Sequence, residues 1–151
     1  MSRERAATEA QLAEATAAFR ALARLSRALE KSAGGLSLAH YRVLSAVAEG
    51  HERASRVADR LALGKPAVSA SVEALSARGL LARSGDTGDQ RAVQLTITPL
   101  GRSVLQEAEA AMVGRLEELV TSAGNRDEVF RSLSLLGAAL EQSAQRPRRN
   151  L

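Results

Sequence analysis

Apolar residues recur every three or four positions through most of this 151-residue chain, and after Gly79 the spacing switches briefly to every second position. Three-to-four spacing keeps side chains on one face of a helix, whereas strict alternation keeps them on one face of a strand. A mainly α fold with one small β-hairpin follows. Leu12, Ala15, Phe19, Leu22, Ser26 and Leu29 form a single seam on a first helix that ends at Ser32-Ala-Gly-Gly35. Ser37 is the expected N-cap of a second helix carrying Tyr41, Val43, Leu44 and Val47, which Gly50 stops. Two short helices follow, from about Ala54 to Leu61 and from about Pro66 to Arg78, with Leu63-Gly64 as the turn.

The alternating stretch is Val93, Leu95 and Ile97 against Gln94, Thr96 and Thr98. It pairs with the apolar run Leu80 to Arg83 across a turn-rich tip, Gly85 to Gln90. Thr98 then offers an N-cap with Pro99 at the first helical position. The long helix that follows carries Val104, Leu105, Ala108, Met112, Leu116, Leu119 and Val120 on one face. Asn125 and Asp127 open a last helix with Val129, Phe130, Leu133, Leu136 and Leu140, and the Arg-rich end after Gln145 reads as a frayed tail.

Composition narrows the chemistry. There is no cysteine, which excludes thiolate nucleophiles, disulfides, cysteine zinc sites and thiol redox sensing. His40 and His51 alone cannot build a histidine-rich metal site, so neither a metal nor another cofactor is expected. Only Phe19, Tyr41 and Phe130 are aromatic, so alanine and leucine must fill the core, and stacking on single-stranded nucleic acid is disfavoured. The longest uncharged run is ten residues, short of the roughly 18 that a membrane span needs. Without an apolar leader, a soluble cytoplasmic protein is expected.

The formal net charge of +4 is unevenly spread. Residues 51–102 carry eight basic and five acidic groups, residues 103–144 carry three and seven, and Arg146, Arg148 and Arg149 end the chain. The excess of cations in the middle suggests an anionic partner there.

Helix, helix, helix-turn-helix, hairpin, helix, helix is the order of a winged helix-turn-helix held between long N- and C-terminal dimerisation helices. From about Leu36 to Leu105 the chain resembles the MarR family of bacterial transcriptional regulators. The resemblance runs through Leu36-Ser-Leu-Ala-His-Tyr-Arg-Val-Leu44, Ala54-Ser-Arg-Val-Ala-Asp-Arg-Leu61, Lys65-Pro-Ala-Val-Ser69, Leu75 and Gly79-Leu-Leu-Ala-Arg83. Its most specific part is Asp89-Gln-Arg91 followed by Ile97-Thr98 and Gly101, similar to the family's wing signature. On this division, residues 1–35 are an N-terminal dimerisation helix and 36–101 the DNA-binding domain. Residues 102–144 are C-terminal dimerisation helices, and 145–151 a basic tail.

A recognition helix must bury one face and offer the other to the major groove of DNA. Val68, Val72 and Leu75 are the inward face; Lys65, Pro66, Ser69, Ala70 and Glu73 are the outward and N-terminal side. Few of these make bidentate base contacts: Ser69 suits a base or phosphate, Ala70 a thymine methyl, Lys65 a phosphate. Arg91 is placed to enter a narrow minor groove from the hairpin. The resemblance implies that Asp89 orients it, while Arg83 supports it or binds phosphate.

The terminal seams are too apolar to stay solvated. Leu12, Phe19, Leu22 and Leu29 from the first helix, with Leu116, Leu119, Phe130, Leu133 and Leu136 from the last two, are expected to form a homodimer interface. A two-fold dimer would set recognition helices about one DNA turn apart, roughly 34 Å, and favour pseudo-palindromic double-stranded sites. The resemblance further implies a repressor released by a small-molecule effector, with Arg20, Arg24, His40 and Tyr41 as pocket candidates.

Enzymatic readings are weaker. Asp86-Thr-Gly88 matches the aspartic-protease triplet but sits on a hairpin tip in a helical chain. Gly64-Lys65 resembles the end of a phosphate loop, but Pro66 stands where Ser or Thr is required. No catalytic residue is assigned. The competing readings are a sequence-tolerant architectural DNA-binding protein and a helical protein-interaction module.

Overall fold

The computed structural model describes residues 2–50, 53–84 and 94–145, with side-chain environments from Thr8 to Ser143. Among the described residues, six helices and one two-stranded antiparallel sheet occur in the order α1 (Ser2–Ser32), α2 (Leu38–Ala48), α3 (Ala54–Leu61), α4 (Lys65–Ala77), β1 (Leu81–Ser84), β2 (Gln94–Ile97), α5 (Pro99–Ala123) and α6 (Arg126–Gln145). Each boundary has a local cause. The Ser37 side chain accepts from the His40 N–H to cap α2, aided by the Glu30 carboxylate of α1, which accepts from the Leu38 N–H at 3.2 Å. Thr98 caps α5 by accepting from the Gly101 N–H at 2.9 Å, with Pro99 in the first turn.

The turn between α3 and α4 differs from the sequence expectation. The left-handed residue is Ala62, at φ 52°, while Gly64 takes an ordinary φ of −64° as the N-cap of α4. Ala62 tolerates its strained conformation because its N–H and that of Leu63 close the end of α3 on Ala58 and Asp59 carbonyls. Gly64 is therefore not needed for positive φ.

The core lies in the centre of the chain. Leu36, Val43, Leu44, Val57, Val68, Leu75 and Leu95 are its most completely buried side chains, joined by Leu105, Ala108 and Met112 of α5. The hairpin register pairs Leu81 with Ile97 and Arg83 with Leu95, so Leu81, Leu95 and Ile97 share the inward face. A further bridge joins Arg53 to Gln94, tying the start of α3 to the hairpin. At the hairpin base, the Thr98 hydroxyl donates to the Gly79 carbonyl at 2.7 Å, and the Thr98 N–H donates to the Leu80 carbonyl at 3.1 Å. The wing is thereby latched to the first turn of α5.

The terminal seams divide. Leu29 packs on the core, but Leu12, Phe19 and Leu22 earlier in α1 are exposed, Phe19 by 70%. On α6, Val129, Phe130 and Leu133 are partly buried while Leu135, Leu136 and Leu140 are exposed. Phe19 therefore lies outside the core of its own chain, Tyr41 sits at its margin, and Phe130 is partly buried on α6.

Candidate nucleic-acid interface

The apolar residues of α4 anchor it and thereby decide what its other side presents. Val68, Val72 and Leu75 are buried at 1%, 2% and 0% exposure, whereas Lys65, Pro66, Ser69, Ala70 and Glu73 are all exposed. A spacing of four and three on a helix produces this division directly. The N-terminal turn of α4 is free of acidic residues, so the positive end of its helix dipole is not neutralised from within the turn.

Around α4 lie cations that pattern reading did not single out. Arg53, Arg56 and Arg60 on and before α3 are exposed, with Asp59 as the one acidic group of that helix. The signal for them was present in the polar face of α3, opposite Val57 and Ala58, because in a helix-turn-helix the first helix crosses the phosphate backbone. Arg83 is exposed on β1; its register with Leu95 puts it on the same hairpin face as Leu81, at the rim of the core. Asp89, Arg91 and the whole Gly85–Gln90 tip lie outside the described residues, as do His51, Asp86-Thr-Gly88 and the arginine tail.

The four expected pocket residues do not converge. Arg24 lines a cavity of about 520 Å³ with Arg27, Ala28, Lys31, Ser32 and Arg115, between α1 and α5. Tyr41 lines a separate depression of about 140 Å³ with Arg42, Ser45, Ala46, Glu49, Arg60 and Leu61. Arg20 is exposed on α1 and lines neither; His40 is partly buried, lines neither, and gives its backbone N–H to Ser37. The helical spacing put the four side chains on adjacent elements, but the packing of α1 against α5 separates Arg24 from the α2 residues.

Tyr41 is instead a tether. Its hydroxyl donates to Glu109 Oε1 at 3.3 Å, joining α2 of the central lobe to α5. Burial, followed by the negative charge of Glu109, raises the phenol above its ordinary value of 10.0. A phenol that holds its proton more tightly in the folded chain stabilises the fold fully below pH 10.0, and that contribution disappears as pH rises through the folded value. Because Tyr41 is the one tyrosine, its ionisation is directly visible in the ultraviolet. The absorbance titration of the native chain is expected to turn over above 10.0 and to fall back toward 10.0 in Glu109→Gln; a native midpoint at or below 10.0 would remove the tether.

Among the described residues, no group of three His, Asp or Glu side chains could hold a metal ion, and no helix is long and apolar enough to cross a membrane.

Residues 34–92 match the sequence profile of the MarR family. No curated protein sequence is significantly similar to the chain. Among solved structures, the transcriptional regulator BldR from Sulfolobus solfataricus is 28% identical, covers 87% of this chain and 95% of its own, and superposes with a TM-score of 0.62. The transcriptional repressor CouR bound to a 23-mer DNA duplex is 27% identical, with 86% and 95% covered and a TM-score of 0.74. CouR from Rhodococcus jostii RHA1 bound to p-coumaroyl-CoA is similar in fold at 24% identity, with 87% and 91% covered and a TM-score of 0.67. Over residues 34–92 the chain is thus similar to the MarR family of transcriptional regulators, and through its terminal helices it shares the fold of these solved regulators.

Proposed function

We propose that the protein is a homodimeric regulator that binds pseudo-palindromic double-stranded DNA sequence-specifically and acts as a repressor released by a small molecule. The observation that carries this reading is the exposed surface of α4, held outward by the buried Val68, Val72 and Leu75. On it, Lys65 takes a phosphate, Ser69 a base edge or phosphate, Ala70 a thymine methyl, and Pro66 shapes the first turn. Glu73 can accept from a cytosine amine. Arg53, Arg56 and Arg60 add phosphate contacts from α3. Arg83 and Arg91 extend the contact along the hairpin, Arg91 in the minor groove with Asp89 orienting it.

CouR supports the reading in both respects, since it is a repressor seen with duplex DNA and with a small acyl thioester. The exposed seams of α1 and α6 supply the dimer, with the units 1–35 and 102–144 flanking the DNA-binding unit 36–101. Action on the chromosome makes the protein cytoplasmic. No catalytic role is assigned.

The test is fluorescence anisotropy with duplex DNA from beside the protein's own gene, a scrambled duplex as competitor, and several salt concentrations. A preference of roughly 10³-fold over the scrambled duplex is expected. Binding both duplexes equally would mark an architectural protein, the outcome that the short side chains Ser69 and Ala70 would then explain. Arg91→Ala and Lys65→Ala should each weaken binding and lower the salt slope by about one per protomer. Unchanged affinity and slope in Arg91→Ala would remove the wing from the interface.

A further inference from the structure

Arg24, Arg27 and Lys31 stand at i, i+3 and i+7 on α1, so they form one stripe along the last two turns of the helix. At 100° per residue this stripe and the apolar seam of Leu12, Phe19 and Leu22 occupy different flanks of α1. Arg115 of α5 faces the stripe across the cavity of about 520 Å³. Like charges at this spacing repel one another, and the acidic groups nearby are committed elsewhere. Glu30 accepts from the Leu38 N–H, and Glu118 pairs with Arg115 at 2.8 Å. Among the described residues, Arg24, Arg27 and Lys31 make no ion pair.

We propose that this cleft between α1 and α5 is an anion-binding site for a small organic phosphate, a monoester or diphosphate. Arg24, Arg27 and Lys31, three cations without an ion pair beside the Glu118-paired Arg115, call for a ligand with at least two negative charges, which one carboxylate does not supply. Arginine forks match phosphate oxygens two at a time, and the lysine adds a point charge. Ala28 and the methylene stems of the basic side chains give the ligand's organic part an apolar wall, and Ser32 lines the same cavity. The volume falls within the roughly 300–1,000 Å³ of small-molecule sites. As an effector site the cleft rests on the regulatory reading above; as an anion site it stands without it.

Calorimetric titration of the full-length chain with inorganic pyrophosphate tests the site without DNA. Saturable binding of one anion per chain is expected, weaker at higher salt, and weaker by about tenfold in the double variant R27Q/K31Q. Lys65→Gln, on the α4 surface, should leave it unaltered. Glutamine keeps helix propensity close to that of arginine and lysine, and unchanged circular dichroism melting of the double variant checks that it folds. No saturation up to about 10 mM pyrophosphate would overturn the proposal, as would equal binding by R27Q/K31Q or loss of binding in Lys65→Gln. A change in the sedimentation of R27Q/K31Q would assign the cleft to a contact with a second copy instead. Failure of the chain to bind any duplex would sink the regulatory reading and leave the calorimetric result standing.

Discussion

Gly101→Ala is expected to cost about 3 kcal/mol of stability and to lower the melting temperature by about 10 °C. A Cβ built at Gly101 would lie 2.1 Å from the Leu80 carbonyl oxygen, 2.9 Å from its carbon and 3.0 Å from Ile97 Cγ1. The closest of these atoms are backbone, so no side-chain rotation relieves the clash. Leu80 cannot withdraw without cost, because its carbonyl accepts from the Thr98 N–H and the residue itself is buried at 2% exposure. Either the first turn of α5 or the base of the hairpin must move, and the Thr98 latch goes with it. Gly114→Ala on the same helix is the contrast: nothing lies within 4 Å of its Cβ position, and its alanine should stabilise by about 0.5–1 kcal/mol. Thermal denaturation of both variants decides the matter. A Gly101→Ala melting temperature matching the parent would mean that hairpin and α5 are not held together at this point.

On the proposed homodimer, Phe19→Ala is expected to turn dimer into monomer at micromolar concentration while leaving the central lobe folded. In its own chain the ring is 70% exposed, so truncation removes little intrachain packing. Buried against a second copy, a phenylalanine truncated to alanine costs about 3–5 kcal/mol, and two-fold symmetry applies the loss twice. The dissociation constant should rise by at least about 10⁴-fold. Leu136→Ala, at 59% exposure on α6, should act in the same direction. Exposed apolar surface of this extent marks an interaction face more often than a solvated one. Sedimentation velocity across a concentration series, with melting temperatures that become concentration-dependent, measures the effect. Parental sedimentation in both variants would place the dimer contact elsewhere or remove it.

The two variants also show where sequence reading stops. Gly101 was legible as part of a motif, but its reason was not: periodicity cannot show that the Leu80 carbonyl comes within 2.1 Å of a side-chain position twenty-one residues later in the chain. Phe19 was legible as part of a seam, whereas only packing shows that the seam divides, with Leu29 on the core and Phe19 outside it. The expected turn glycine, Gly64, gave way to Ala62 because the hydrogen bonds closing α3 compensate a conformation that intrinsic preference disfavours. The expected effector residues Arg24 and Tyr41 divide between two depressions for a related reason. Arg24 and Tyr41 lie on successive helices, but helix order does not specify which sides of those helices meet the same cavity.

What the amino-acid sequence determined by itself was local and periodic: six helices, the hairpin, the Ser37 and Thr98 caps, and the inward face of α4. These rest on spacing along one element and on hydrogen bonds that span three or four residues, so neighbouring positions suffice to specify them. Tertiary structure alone decided the close approach at Gly101, the Tyr41–Glu109 tether across 68 positions, and the basic cleft that Arg115 completes. Each joins elements far apart in the chain, and their distances follow from how the common core packs rather than from any repeat in the sequence.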